Sequence, residues 1–401
     1  MVNAVYAQSG GVTSVINASA LGVYRKIIDN KDTIENLFIG INGINGIAEN
    51  NLIILNSQDI DKINLLEFTP SSAFGSCRKK LSLNDEGYLK KIFDTFKKNN
   101  IRYFFYNGGN DSMDTANLIY EYSKKIKFDL KVIGIPKTID NDLCFTDHTP
   151  GYGSTAKYLA ISALEGSIDV KSMCYDSTRI FILETMGRHA GWLTASTALA
   201  RLNSDFGPHI ILIPERAFNK ERFLMKVKKT LSEYGYCSIA VSEGIKDEQN
   251  NFLSDLGYND NFGNTQLGFV GKTLSTILMK ELGEKSHVAI PDYLQRSGRH
   301  ISSLCDVKEA IKAGEYAVEY ALKGINGKMV TFKRISNKPY EITFDYIDLN
   351  MIANQTKFIP DEYITEDGMD VNEKFIEYAK PLIKGESYPE YKNGIPLYYK
   401  L

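Results

Sequence analysis

Ile101-Arg-Tyr-Phe-Phe-Tyr106 runs straight into Asn107-Gly108-Gly109-Asn110-Asp111-Ser112, and Lys131-Val-Ile-Gly-Ile135 runs into Pro136-Lys137-Thr138-Ile139-Asp140-Asn141-Asp142. A short apolar run that stops abruptly at glycine or proline reads as a buried strand of a parallel sheet. In open α/β sheets ligands gather outside the carboxyl ends of the strands. The two polar loops are therefore expected to face one cleft. One loop offers Gly-Gly backbone that can come close to a phosphate. The other offers a lysine and two carboxylates, a set suited to phosphoryl transfer with Mg2+.

Working outward, residues 3–7 read as a first strand, followed by Gln8-Ser9-Gly10-Gly11-Val12-Thr13 and a helical pattern over 14–29. Strand, Gly-Gly loop and helix present backbone N–H groups to an anion at a helix N-terminus. The loop is neither G-x-G-x-x-G nor a Walker A sequence, and alone it reads equally well as a tight turn. Residues 36–40 read as a second strand, leading into a turn-rich loop. In Ser71-Ser-Ala-Phe-Gly75-Ser76-Cys77-Arg78-Lys79-Lys80, small residues precede three cations, which suits a phosphate clamp or a solvated basic loop. Helical periodicity covers 84–98 and about 111–125.

Strands and helices alternate again further on. Strands are expected over 178–184, 210–214, 237–242 and 286–290, and helices over 151–166, 189–201, 220–234 and 266–282. This is a second α/β lobe. An amphipathic helix over 307–322 and paired strands over 328–335 and 340–347 follow, and beyond 348 the pattern weakens to one helix near 371–379. The expectation is two Rossmann-like three-layer α/β/α lobes with a cleft between them. Residues 1–150 with about 295–345 would form one lobe, 151–294 the other, and 346–401 a C-terminal extension.

The chain has 401 residues, 43% hydrophobic and 24% charged, with 47 basic and 49 acidic side chains and a net charge of −2. These values give no electrostatic case for nucleic acid or an acidic membrane. The five cysteines are scattered, which argues against a zinc site or disulfide framework. No apolar run is long enough for a spanning helix, and a cytoplasmic location is expected. Trp192 reads as a packing residue.

Taken together, Gly10-Gly11, Gly75-Ser-Cys-Arg78, Gly108-Gly109-Asn110-Asp111-Ser112, Thr138-Ile-Asp140-Asn-Asp142, Met186-Gly187-Arg188, Glu243-Gly244 and Gln295-Arg296 resemble, in this order, the phosphofructokinase family. The resemblance covers nearly all of residues 1–345. It implies that Asp140 is the base toward the 1-hydroxyl of fructose 6-phosphate, with Thr138 and Ile139 beside the transferred group. Gly11 and Arg78 would meet the phosphoryl donor, and Asn110 and Asp142 would hold Mg2+. Met186, Gly187, Arg188 and Glu243 would bind the sugar phosphate, and Tyr293, Leu294, Gln295 and Arg296 would hold its 6-phosphate end. Arg179 matches an arginine that reaches into a neighbouring subunit's site, implying a homodimer or homotetramer with shared sites. Asn110 stands where many relatives carry a metal-binding aspartate, and His287 where an arginine is common.

Two positions bear on the donor. ATP-using relatives carry glycine where this chain has Asp111 and Lys137. Bulk and an added cation at these positions reject a nucleotide and accept a bare diphosphate, and the pair is the mark of the pyrophosphate-using branch. The resemblance thus implies reversible transfer from pyrophosphate to fructose 6-phosphate. The alternatives are an ATP-dependent enzyme, a weakly active regulatory subunit, or a kinase of another sugar phosphate such as sedoheptulose 7-phosphate.

Overall fold

The computed structural model describes residues 1–82, 84–259, 265–352 and 355–401. Its larger sheet has seven strands, in the order Tyr340–Asp348, Lys328–Asn337, Lys131–Pro136, Ile101–Gly108, Val2–Gln8, Ile34–Gly40 and Leu52–Ile54. The five inner strands run parallel, and the two outermost pair antiparallel with their neighbours. The central strands Val2–Gln8, Ile101–Gly108 and Lys131–Pro136, buried along most of their length, are nearly continuous apolar runs, as parallel strands covered on both faces tend to be. The smaller sheet is wholly parallel, in the order Ser286–Ala289, Ile180–Thr185, Cys237–Ser242 and Ile210–Leu212.

Helices cover both faces of each sheet. Ile16–Ile28 and Leu304–Leu322 lie on one face of the larger sheet, and Glu86–Lys98 and Asn110–Lys125 on the other. The first pair crosses on two glycines. A methyl group on Gly22 would fall 1.9 Å from the Ile311 carbonyl oxygen, and one on Gly314 would fall 2.1 Å from that of Ser19. Only glycine permits this approach, and it ties a late helix to an early one. Tyr152–Met173 and the segment from Trp192 flank the smaller sheet on one side, with Lys220–Tyr234 and Val270–Leu282 on the other.

Several elements differ from expectation. The helix expected to end near Gly166 continues to Met173. Gly166 is no stop signal, because a methyl group there would strike the Phe181 ring at 2.4 Å; it is small to admit that ring. The helix expected over 189–201 is one short helix, Trp192–Ser196, continued by a 3-10 segment, Thr197–Asn203. The segment expected to be helical from 266 begins its helix at Val270, after a short strand, Thr265–Leu267.

Residues beyond 348 form no separate body. Leu349, Ile352 and Tyr399 join the core about the larger sheet, whereas Ile359, Ile364, Val371, Phe375 and Leu382 join that of the smaller. Among the described residues no helix is long and apolar enough to cross a membrane.

Candidate active site

The parallel register aligns Gln8, Asn107 and Ile135 side by side, so the loops that follow leave one edge of the larger sheet together. Backbone hydrogen bonds lace them: Ser9 N to the Asn107 oxygen at 2.9 Å, Gly10 N to the Cys77 oxygen at 2.9 Å, and Lys137 N to the Gly108 oxygen at 3.1 Å. Gly10 has φ +75°, a conformation side chains rarely adopt. Its turn sets Gly11 in the middle of the loops.

Three cations surround Gly11. The Lys137 ammonium, on a side chain 3% exposed, donates to the Gly11 carbonyl oxygen. A methyl group on Gly11 would lie 3.6 Å from Arg296 Nη1 and 3.7 Å from Arg78 Nη2. Arg78 comes from the loop after Gly75, whereas Arg296 comes from the short helix Tyr293–Ser297, whose chain enters from the smaller sheet. Of the basic loop, Arg78 turns toward Gly11, while Lys79 lies over the Tyr88 ring. Burial, then the neighbouring Arg78 and Arg296, hold the Lys137 pKa down at about 8, against the pull of Asp140.

Asp140 faces this cluster. Its backbone N–H bonds Thr138 Oγ1 at 3.1 Å, and the Thr138 hydroxyl donates to its carboxylate at 3.4 Å. Burial pushes its pKa up to about 7, and the Asp142 and Glu243 carboxylates add to this. Burial also raises that of Asp142. Ile139, between the two functional side chains, is buried among the apolar residues around Tyr152 and anchors the loop.

Glu243 and Met186–Arg188 leave the carboxyl ends of the smaller sheet's strands. Gly187 N donates to Glu243 Oε1 at 3.2 Å, Ser242 Oγ to the Gly187 oxygen at 2.6 Å, and Met186 N to Gln295 Oε1 at 3.1 Å. Burial raises the Glu243 pKa. Gly244 packs so closely on the Arg188 backbone that a methyl group would fall 2.1 Å from its carbonyl oxygen. The Arg296 guanidinium lies over the Tyr293 ring, 3.9 Å from its centroid.

Other residues stand apart. Asp111 lies on the first turn of its helix with an 80% exposed side chain, 3.6 Å from Lys80; it occupies the rim rather than the space beside Lys137. Leu294 is 64% exposed, and buried Gln295 supports Met186 instead of opening to the cleft. Arg179 pairs with Glu284. It precedes the strand whose far end carries Met186, and six strand steps put it about 20 Å from its own cleft. His287, exposed and opposite Phe181, lies near the Arg179 end, away from Met186.

For Mg2+, Asn110 and Asp142 fit. Asn110 Oδ1 is buried with no hydrogen-bond partner, while Nδ2 donates to the Gln355 oxygen at 3.2 Å. A lone amide oxygen and a buried carboxylate match the few protein ligands Mg2+ takes beside substrate phosphates. Among the described residues no group of three or more His, Cys, Asp or Glu is placed to cage a metal.

The sequence reading did not include Lys357, whose ammonium lies among the carbonyl oxygens of the loop that carries Asp140 and Asp142. It stands in the weakly patterned tail, where no local signal marks it. Trp192, read as a packing residue, is 3% exposed against Tyr378 and Phe375.

Two α/β lobes with cations and carboxylates gathered between them define a phosphotransferase of the cleft-forming class. The family model for phosphofructokinase matches residues 3–321. A pyrophosphate–fructose 6-phosphate 1-phosphotransferase from Halomonas elongata is 46% identical over 401 residues, covering 100% of this chain and 96% of the relative. Crystal structures of pyrophosphate-dependent phosphofructokinases are similar throughout. That from Nitrosospira multiformis has a TM-score of 0.90 and 42% identity, covering 99% of this chain and 95% of that one. That from Marinobacter aquaeolei has a TM-score of 0.91 and 43% identity, covering 100% and 96%. The chain belongs to the phosphofructokinase family and has its fold.

Proposed function

We propose that this chain transfers a phosphoryl group from pyrophosphate to the 1-hydroxyl of fructose 6-phosphate, giving fructose 1,6-bisphosphate and orthophosphate, and that it runs in both directions. The observation that carries the reading is the ring of Lys137, Arg78 and Arg296 about Gly11, with Asp140 beside it. A loose phosphoryl-transfer transition state spreads charge over the phosphoryl oxygens, so fixed cations there contribute most.

In this reading Asp140 accepts the proton of the 1-hydroxyl as the new P–O bond forms and the bridging P–O bond of pyrophosphate breaks. A pKa near neutrality suits a group that takes a proton in one direction and returns it in the other. Thr138 orients the carboxylate. Gly11, Arg78 and Lys137 bind the donor; Met186, Gly187, Arg188 and Glu243 bind the sugar phosphate; Tyr293 and Arg296 hold its 6-phosphate end. Asn110 and Asp142 would hold Mg2+, which neutralises charge on the diphosphate. The larger-sheet lobe, residues 1–150 with about 295–345, is the donor side, and 151–294 the sugar side. Arg179 and His287, on the far edge, serve a neighbouring subunit's site in a homodimer or homotetramer.

Lys137 sets the donor. Its stem and ammonium fill the space beside Gly10 and Gly11 that a nucleotide would need, and Asp111 with Lys80 narrows the rim. Initial rates with fructose 6-phosphate, Mg2+ and either pyrophosphate or ATP test the reading: pyrophosphate is expected to support turnover and ATP not. The double variant Lys137→Gly, Asp111→Gly is expected to gain ATP use as it loses pyrophosphate use. Preference of the parent for ATP would refute the assignment.

A further inference from the structure

The loop from Thr138 to His148 carries the base and a proposed metal ligand, and Asn141 between them has φ +54°. Asparagine is among the non-glycine residues that enter this region most readily, and both side-chain bonds of Asn141 run to residues beyond 348. The tail holds the middle of the loop, while Phe332, Arg334 and Glu309 hold its end. The Lys357 ammonium donates to the Thr146 oxygen at 3.1 Å, the Asp147 oxygen at 2.9 Å and Asn141 Oδ1 at 3.3 Å. The Lys357 backbone N–H bonds the Asp142 oxygen at 2.8 Å. Its carbonyl accepts from Trp192 Nε1 at 2.8 Å, and two residues on Ile359 N bonds Glu215 Oε1 at 3.1 Å. Asn141 Nδ2 is held by Tyr378 Oη at 2.8 Å, and Gln355 receives the Asn110 amide.

The tail thus touches the Asn110 turn, the Asp140–Asp142 loop and the smaller-sheet side in three successive steps. We propose that Lys357 is a positioning residue for phosphoryl transfer: by cross-linking Asn141 to Thr146 and Asp147 it fixes the direction in which Asp140 and Asp142 project, without touching substrate. The ammonium's three hydrogen bonds all go to the back of the loop, and its other neighbour is the Trp192 ring, 5.2 Å away at the centroid. The Asp142 backbone bond is made by residue 357 whatever its side chain, so substitution removes the ammonium's three bonds and leaves the strap attached.

The role rests on the phosphotransferase reading, and the test separates the two. Lys357→Met keeps the stem and loses the donors; Lys357→Arg keeps charge and donors but shifts them. With pyrophosphate, Lys357→Met is expected to lower kcat about 100-fold, the scale of a displaced catalytic group. KM for fructose 6-phosphate should stay within about threefold, because its binding residues lie on the other loops. Lys357→Arg, whose donors are shifted, should recover only part of the parent's kcat, between about a tenth and a half. Hydrogen–deuterium exchange across residues 138–147, in free protein without Mg2+, should quicken about tenfold or more in Lys357→Met and stay near parental elsewhere. If the parent shows no transfer, the functional reading fails while the exchange result still decides the positioning role. The proposal is overturned if the loop exchanges at the parental rate, or if kcat stays within twofold. If Lys357→Met does not fold, Lys357→Arg decides: parental kcat with only a lower melting temperature would mean a purely structural lysine.

Discussion

Gly11→Ala separates binding from folding at the centre of the site. Gly11 does not occupy the left-handed backbone region that penalises a side chain, and the added methyl group would meet its nearest neighbours, Arg296 Nη1 and Arg78 Nη2, at 3.6 and 3.7 Å. These are ordinary van der Waals contacts, so stability should change by no more than about 0.5 kcal/mol. The methyl group would instead stand beside Arg78 and the Lys137 ammonium, where the proposed reading places a donor phosphate. Displacing that phosphate should cost at least one charge-assisted hydrogen bond, about 1.5–3 kcal/mol. At 1.4 kcal/mol per tenfold, this is about a 10- to 150-fold loss in kcat/KM for pyrophosphate. A coupled assay at saturating fructose 6-phosphate, with melting followed in parallel, measures both. The reasoning is refuted if kcat/KM for pyrophosphate stays within twofold, or if melting falls by more than about 5 °C.

Asp140→Asn keeps the shape of the loop and removes the proton acceptor, so kcat should fall by about 10²- to 10⁴-fold with KM for fructose 6-phosphate little changed; steady-state kinetics check it, and a fall below tenfold would remove Asp140 as base. His148 is buried between Asp147 Oδ2 at 2.7 Å and Glu309 Oε2 at 2.6 Å. Burial pulls its pKa down, but these carboxylates more than offset that and raise it to about 9. The folded state binds this proton more tightly, so the contribution, on the order of 3 kcal/mol, is full below about pH 6.5 and lost as pH rises through about 9. Lys137 and Lys357, both lowered to about 8, act in the opposite sense. The stability difference between parent and His148→Gln isolates the histidine: it should be largest near pH 6 and shrink toward pH 9.5, and a constant difference would contradict the ion-pair account.

Where local pattern and tertiary environment agree, the sequence was legible. Helix Lys220–Tyr234 and strand Cys237–Ser242 fall where periodicity expects them, because Asn219 caps the helix and Gly235 ends it in a left-handed turn. The two loops of the opening stretch leave one sheet edge, since a parallel register allows nothing else. Gly166 misled because a glycine's reason can be a neighbouring ring, which spacing does not reveal. The short helix at Trp192 is buried on every side, so it lacks the stripe that dates a helix's start. Asp111 could be assigned to the donor side but not to its rim, because side-chain direction on a first turn depends on the Lys80 loop. Lys357 was illegible for the same reason at longer range: its partners lie over two hundred residues away.

The crossing of Ile16–Ile28 with Leu304–Leu322 has a consequence for synthesis. As the chain leaves the ribosome, the Lys131–Pro136 strand emerges as a raw edge, and the first helix has an uncovered flank. Translation at about 5–20 residues per second leaves both waiting on the order of ten to sixty seconds for their mates. The intervening smaller sheet, built wholly from residues 180–289, has all its strands in hand before then. The half that begins first is thus the half that closes last, and it is during this interval that a nascent chain most needs a holdase.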